Sequence, residues 1–95
     1  MVTVDSIVYP QHSVVFTEMN DQEAVLWHMD AQEMFTLNVT GIRIWTGIQD
    51  KLPLSMISQR LVEEFEVEGP RATASVMNLI QELLSRNLIT LQQPA

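Results

Sequence analysis

Apolar and polar residues alternate along the first third of the chain. Val14 and Phe16, then Val25, Trp27 and Met29, fall at a spacing of two, which sets each group on one face of a strand. The stretch Glu18-Met19-Asn20-Asp21-Gln22 between them is polar and holds turn formers. Strands are therefore predicted near 13–17 and 23–29. A third, Glu33 to Leu37, follows Asp30-Ala31-Gln32, with Phe35 and Leu37 on one face and Met34 and Thr36 on the other. The connections are short, so the simplest topology is an antiparallel meander. Val2 to Tyr9 is also β-prone, but Pro10 limits what it can pair with.

At Asn38 the period changes. Val39, Ile42, Trp45 and Ile48 recur every third residue, which marks a helix face and assigns Trp45 to the core. Asn38 is suited to the N-cap, where its side chain accepts from the free N–H groups of the first turn. Asp50-Lys51 ends this helix. A second helix is predicted from Pro53 to Phe65, with Leu54, Ile57, Leu61 and Phe65 on one side and Pro53 at the first helical position. Gly69-Pro70 breaks the acidic run that follows, and a third helix is predicted from about Ala72 to Arg86. Asn87 stands where a left-handed residue is wanted. Leu88 to Leu91 can add a last extended piece, and Gln92 to Ala95 are expected to fray. The order predicts an α+β fold: a three-stranded antiparallel meander followed by three helices, winged-helix-like in arrangement, in a single domain over residues 1–95.

Composition narrows the function more than the fold. The chain has 95 residues, enough for one small domain. Five Lys and Arg stand against twelve Asp and Glu, a formal net charge of -7. The cations Arg43, Lys51, Arg60, Arg71 and Arg86 are spread singly, which speaks against nucleic acid, because phosphate binding needs them clustered. There is no cysteine, so disulfide frameworks, thiolate metal sites and cysteine nucleophiles are excluded together. The N-terminus lacks the charged and apolar regions of a secretory signal, and no stretch approaches the length of a membrane span. A cytoplasmic protein is expected, binding neither membrane nor nucleic acid.

No motif points to catalysis. His12 and His28 lie in strand regions and lack the helical spacing of metal ligands. Glu63, Glu64, Glu66 and Glu68 read as a solvated helix end. Asn38-Val39-Thr40 matches a glycosylation sequon but is better read as the helix cap. Neither a phosphate-binding glycine loop nor a nucleophile elbow is present, and no cofactor is expected.

Two features point instead to peptide capture. Advancing about 100° per residue from Val76, Ile80, Leu83 and Leu79 form a core stripe on the third helix. Thr73, Met77 and Leu84 widen it by about 60–100° on one flank, more than one core contact requires. The third strand, in turn, is the edge of the meander. Glu33-Met34-Phe35-Thr36-Leu37 holds no proline and one charge, so it is poorly protected against strand addition. The peptide site is expected on Glu33, Met34, Phe35, Thr36 and Leu37, and on Thr73, Met77, Ile80 and Leu84.

The run Leu37-Asn38-x-x-Gly41-x-x-Ile44-Trp45 resembles the PqqD family. The likeness continues through Leu54, Ile57 and Leu61 to Phe65-x-Val67, and ends in Leu79, Leu83 and Leu88-Ile89, covering roughly residues 13–91. It implies a recognition element for ribosomally made, post-translationally modified peptides. Such a domain binds the leader of a precursor peptide as an added antiparallel strand on the third strand, against the third helix, and presents it to a separate enzyme. Within the family the Ile-Trp pair looks more like the discrete proteins of lasso-peptide clusters, whose partner is a leader peptidase. Three positions depart from the family pattern. Lys51 stands where Gly is usual, Pro53 replaces a Ser or Thr cap, and Ser75 replaces an acidic residue that contributes a polar leader contact. The implied function is non-catalytic leader binding. The alternative is a winged-helix regulator binding DNA or a protein partner.

Overall fold

The computed structural model describes residues 2–92. Eight elements follow in order: β1 (Tyr9–Pro10), β2 (Val14–Asn20), β3 (Glu23–His28), β4 (Glu33–Leu37), α1 (Val39–Gln49), α2 (Leu54–Phe65), α3 (Gly69–Ser85) and β5 (Ile89–Thr90). The α+β class and the meander-then-helices order are as predicted. β2, β3 and β4 form one antiparallel sheet in that order, and β1 pairs with β5 in a separate two-stranded ladder. The last extended piece therefore does not join the meander. It pairs with the chain's beginning, Tyr9 opposite Thr90 and Pro10 opposite Ile89.

The first hairpin turns more tightly than expected. β2 runs on to Asn20, and only Asp21 and Gln22 connect it to β3. Asn20 Oδ1 accepts from Gln22 N at 2.8 Å, its side chain standing in for a backbone acceptor. A register irregularity between Glu18 and Asn20 absorbs the extra residue.

The register decides which faces are buried. Phe16, Leu26 and Phe35 lie directly opposite one another across the three strands, as do Val15, Trp27 and Met34. The first row faces the core. The second faces out, with Val15, Trp27 and Met34 exposed. Val14 and Phe16 thus turn inward, but Val25, Trp27 and Met29 share the outer face, while Ala24 and Leu26 supply the core contact of β3. Spacing alone did not distinguish the two, because Ala24-Val25-Leu26-Trp27 is apolar on both faces.

The helices close the core. In α1, Ile42, Ile44, Trp45 and Ile48 are buried, and Asn38 Oδ1 accepts from Gly41 N at 2.9 Å as the expected N-cap. Trp45 is 1% exposed, and its Nε1 has no hydrogen-bond partner among the described residues. Gly47 lets α1 approach α2, since a Cβ there would lie 2.7 Å from Ile57 Cγ1. Pro53 is the N-cap of α2 rather than its first helical residue and makes no side-chain cap. The missing cap is replaced from a distance: Ser6 O accepts from Leu54 N at 2.9 Å, and Val4 O accepts from Ser55 N at 2.8 Å. α3 begins at Gly69, so Gly69-Pro70 opens the helix instead of preceding it, with Pro70 in its first turn. Asn87 has φ 58°, the left-handed conformation predicted for it. Gln92 N donates to Thr90 Oγ1 at 3.2 Å. The fraying expected of 93–95 falls outside the described residues.

Candidate functional site: a groove between the edge strand and the third helix

Among the described residues β4 pairs with β3 alone, so its other edge is free for hydrogen bonding. Across from that edge stands α3, and the space between them is a groove of about 540 Å³. Its sheet side is Phe35, Thr36 and Leu37, with Glu23 at one end. Asn38, Thr40, Gly41 and Ile44 of the α1 N-terminal region form its floor. Gly41 has a packing reason to be there. A Cβ would lie 3.0 Å from Leu37 Cδ2 and crowd that side chain.

The α3 wall is Ser75, Asn78, Leu79 and Glu82. Leu79 is half-buried, and the other three are exposed. The groove is therefore apolar at its base, through Leu37, Ile44 and Leu79, and polar along the helix. The guanidinium of Arg86 sits over the Phe35 ring, 5.2 Å from its centroid, and Arg86 Nε lies 3.7 Å from Glu82 Oε1. This contact joins the C-terminal end of α3 to β4, and a second cavity of about 450 Å³ is lined by Glu33, His28, Asp30 and Arg86.

The predicted site residues divide. Phe35, Thr36 and Leu37 line the groove, whereas the side chain of Leu37 is itself buried and supports it from below. Glu33 lies in the second cavity, and Met34 projects from the exposed outer face of the sheet. The α3 residues predicted for the wall do not reach it. Ile80 is fully buried in the core, and Met77 and Leu84 are half-buried against that core on the far flank. Thr73 is half-buried and lies on that same flank. The helical wheel has two flanks. The apolar one packs against the protein, and α3 packs chiefly on α2. The polar flank, about 60–160° round the other way from Val76, faces the strand. The spacing of apolar residues missed Asn78 and Glu82 and assigned Leu79 to the core stripe, because it took the wider apolar flank for the open one; only the family resemblance pointed to Ser75. Leu79, on the polar side of the core stripe, was the available signal.

Among the described residues no group of His, Cys, Asp or Glu is arranged to hold a metal ion. No described helix is long and apolar enough to cross a membrane. His28 Nδ1 accepts from Ala31 N at 3.3 Å and closes the β3–β4 turn. The acidic end of α2 is solvated, with Glu64 reaching Arg43 at 2.7 Å.

Two solved structures share this fold. One is described as TbiB1 in complex with the TbiA(beta) leader peptide. It superposes with a TM-score of 0.81 at 22% identity, covering 90% of this chain and 99% of that one. The other is a lasso peptide synthetase B1 complexed with the leader peptide, with a TM-score of 0.78 at 23% identity, covering 92% of this chain and 100% of that one. No curated protein matches the sequence. Residues 23–89, from the first residue of β3 to the first of β5, match the family described as coenzyme PQQ synthesis protein D, so the groove lies within the matched segment and the chain belongs to the PqqD family.

Proposed function

We propose that this chain is a non-catalytic leader-binding protein. It captures the leader of a ribosomally made precursor peptide as an antiparallel strand on β4 and presents it to a separate modifying enzyme. The observation that carries the reading is the free edge of β4 facing α3 across an open groove. The strand holds no proline and only Glu33 as a charge, so it lacks the usual protection of edges. A strand added there gains main-chain hydrogen bonds from β4 and side-chain contacts from the half-buried Phe35 and Leu79, over a base formed by the buried Leu37 and Ile44. Membership of the PqqD family supports leader binding over the DNA-binding alternative, and the two similar folds were both solved with leader peptides bound. Charge points the same way. The only cations of α3 and its C-cap are Arg71 and Arg86, and Arg86 is engaged by Phe35 and Glu82.

An antiparallel leader runs opposite to β4, so its C-terminal end leaves past Glu33. The receiving enzyme is a leader peptidase of the lasso-peptide type, and the meeting takes place in the cytoplasm. The test is amide exchange of this protein with and without the leader of the precursor encoded beside it. The amides of β4 that face the free edge are expected to slow on binding. Tight binding that leaves Met34 to Leu37 unchanged removes strand addition.

A further inference from the structure

A strand added to β4 uses only one of its own two edges. Every second residue turns its N–H and C=O away from β4, and buried main-chain groups without partners cost about 1–3 kcal/mol each. In a groove lined by β4 on one side and α3 on the other, the α3 wall is the side on which those groups would find partners. The wall carries a polar stripe of Ser75, Asn78 and Glu82, of which Glu82 is paired with Arg86. Among the described residues, side-chain hydrogen bonds on α3 are confined to its last turn, where Ser85 Oγ donates to Glu82 O at 2.7 Å. The Asn78 carboxamide therefore lines the groove with its donor and acceptor unused.

A carboxamide has the chemistry such an edge requires. One strand residue offers an N–H and a C=O on the same side, and the Oδ1 and Nδ2 of a single Asn answer both. One turn on, Glu82 and Arg86 place an acceptor and a donor 3.7 Å apart and form a second couple of the same kind. The spacing fits. Four residues of helix advance about 6 Å, and same-side strand groups repeat at about 6.7 Å. The Arg86–Phe35 contact places the C-terminal end of α3 beside β4, and the groove is lined by α3 over two turns, from Ser75 to Glu82.

We infer that Asn78, with Glu82 one turn further on, hydrogen-bonds the second backbone edge of the bound peptide, so that α3 holds main chain while the half-buried Leu79 and Phe35 contact side chains. The occupant is then an extended peptide clasped on both edges, and Asn78 contributes affinity that does not depend on the leader's sequence. This rests on the leader-binding reading. The experiment is amide exchange measured on the peptide, using a ¹⁵N-labelled leader of the precursor encoded beside this chain. In the native complex alternate leader amides of both sets are expected to be protected, those facing β4 and those facing α3. Asn78→Leu, at an exposed position, is expected to keep the native melting temperature. It should strip protection from the α3-facing amide opposite residue 78, leave the β4-facing set protected, and weaken binding by about three- to tenfold. Protection of a single alternate set in the native complex overturns the inference, as does native affinity in Asn78→Leu. Absence of protection in both sets sinks strand addition itself, a different failure.

Discussion

At the scale of single residues, α3 shows how burial separates roles that a helical wheel leaves together. Leu79 and Met77 are both half-buried and sit two residues apart. Leu79 lines the groove, and Met77 packs on the far flank of the core. Their truncations should therefore part. Leu79→Ala is expected to cost about 1 kcal/mol of stability, because roughly half of its apolar surface is already in water. It should weaken leader binding about five- to thirtyfold, since a leader side chain would pack against it. Met77→Ala is expected to cost about 1–3 kcal/mol of stability and to leave binding by the folded protein unchanged. Thermal melts and titrations of the two variants with the leader check the assignment. A Met77→Ala protein that is stable but binds poorly would return the site to the other flank. Trp45 was legible from the sequence in a way the flank was not, because it lies at the centre of the α1 stripe, where every neighbouring turn is also apolar.

At the scale of elements, two helices end in the same motif with different residues. After α3, Leu88 N donates to Leu83 O at 2.9 Å and Asn87 N to Leu84 O at 3.1 Å. After α1, Leu52 N donates to Gly47 O at 3.2 Å and Lys51 N to Ile48 O at 3.0 Å. Both are Schellman endings, which place a left-handed residue just past the helix. Asn87 suits that conformation. Lys51, at φ 61°, does not, because its Cβ crowds the following carbonyl. Lys51 thus holds a left-handed position without the conformational freedom of a glycine. Lys51→Gly is expected to stabilise the protein by about 0.5–1 kcal/mol, the relief of strain exceeding the added freedom of the unfolded chain. The melting temperature should rise by about 2–6 °C. A fall on this substitution would show that Lys51 makes a contact worth more than the strain.

At the scale of the whole molecule, the N-terminal segment completes a helix it does not adjoin. Pro53 offers α2 no side-chain cap, and the carbonyls of Ser6 and Val4 take up the first N–H groups of that helix instead. Thr3 and Ser6 brace the segment, with Thr3 N donating to Ser6 Oγ at 2.9 Å. Removing residues 1–6 strands both donors and is expected to cost about 1–3 kcal/mol. The melting temperature should drop by about 5–15 °C. None of residues 2–7 lines the groove, so leader affinity measured well below the melting temperature should remain native. Loss of affinity in a folded truncated protein would place the segment in the binding site.

The sequence by itself determined the element order, the cap at Asn38, the left-handed turn at Asn87, the free edge at Glu33–Leu37 and the family. These are local or periodic features, and each depends on neighbours within a few residues. Tertiary structure alone decided three others. The outward turn of Trp27 follows from the register of β3 between two partners, since its own run is apolar on both faces. The capping of α2 by Ser6 and Val4 joins residues about fifty apart, beyond any local signal. The groove wall of Ser75, Asn78, Leu79 and Glu82 depends on how α3 is rotated against α2 and the sheet. A helix carries its apolar stripe in its sequence, but which of the two flanks beside that stripe is left open is settled only when its neighbours are packed.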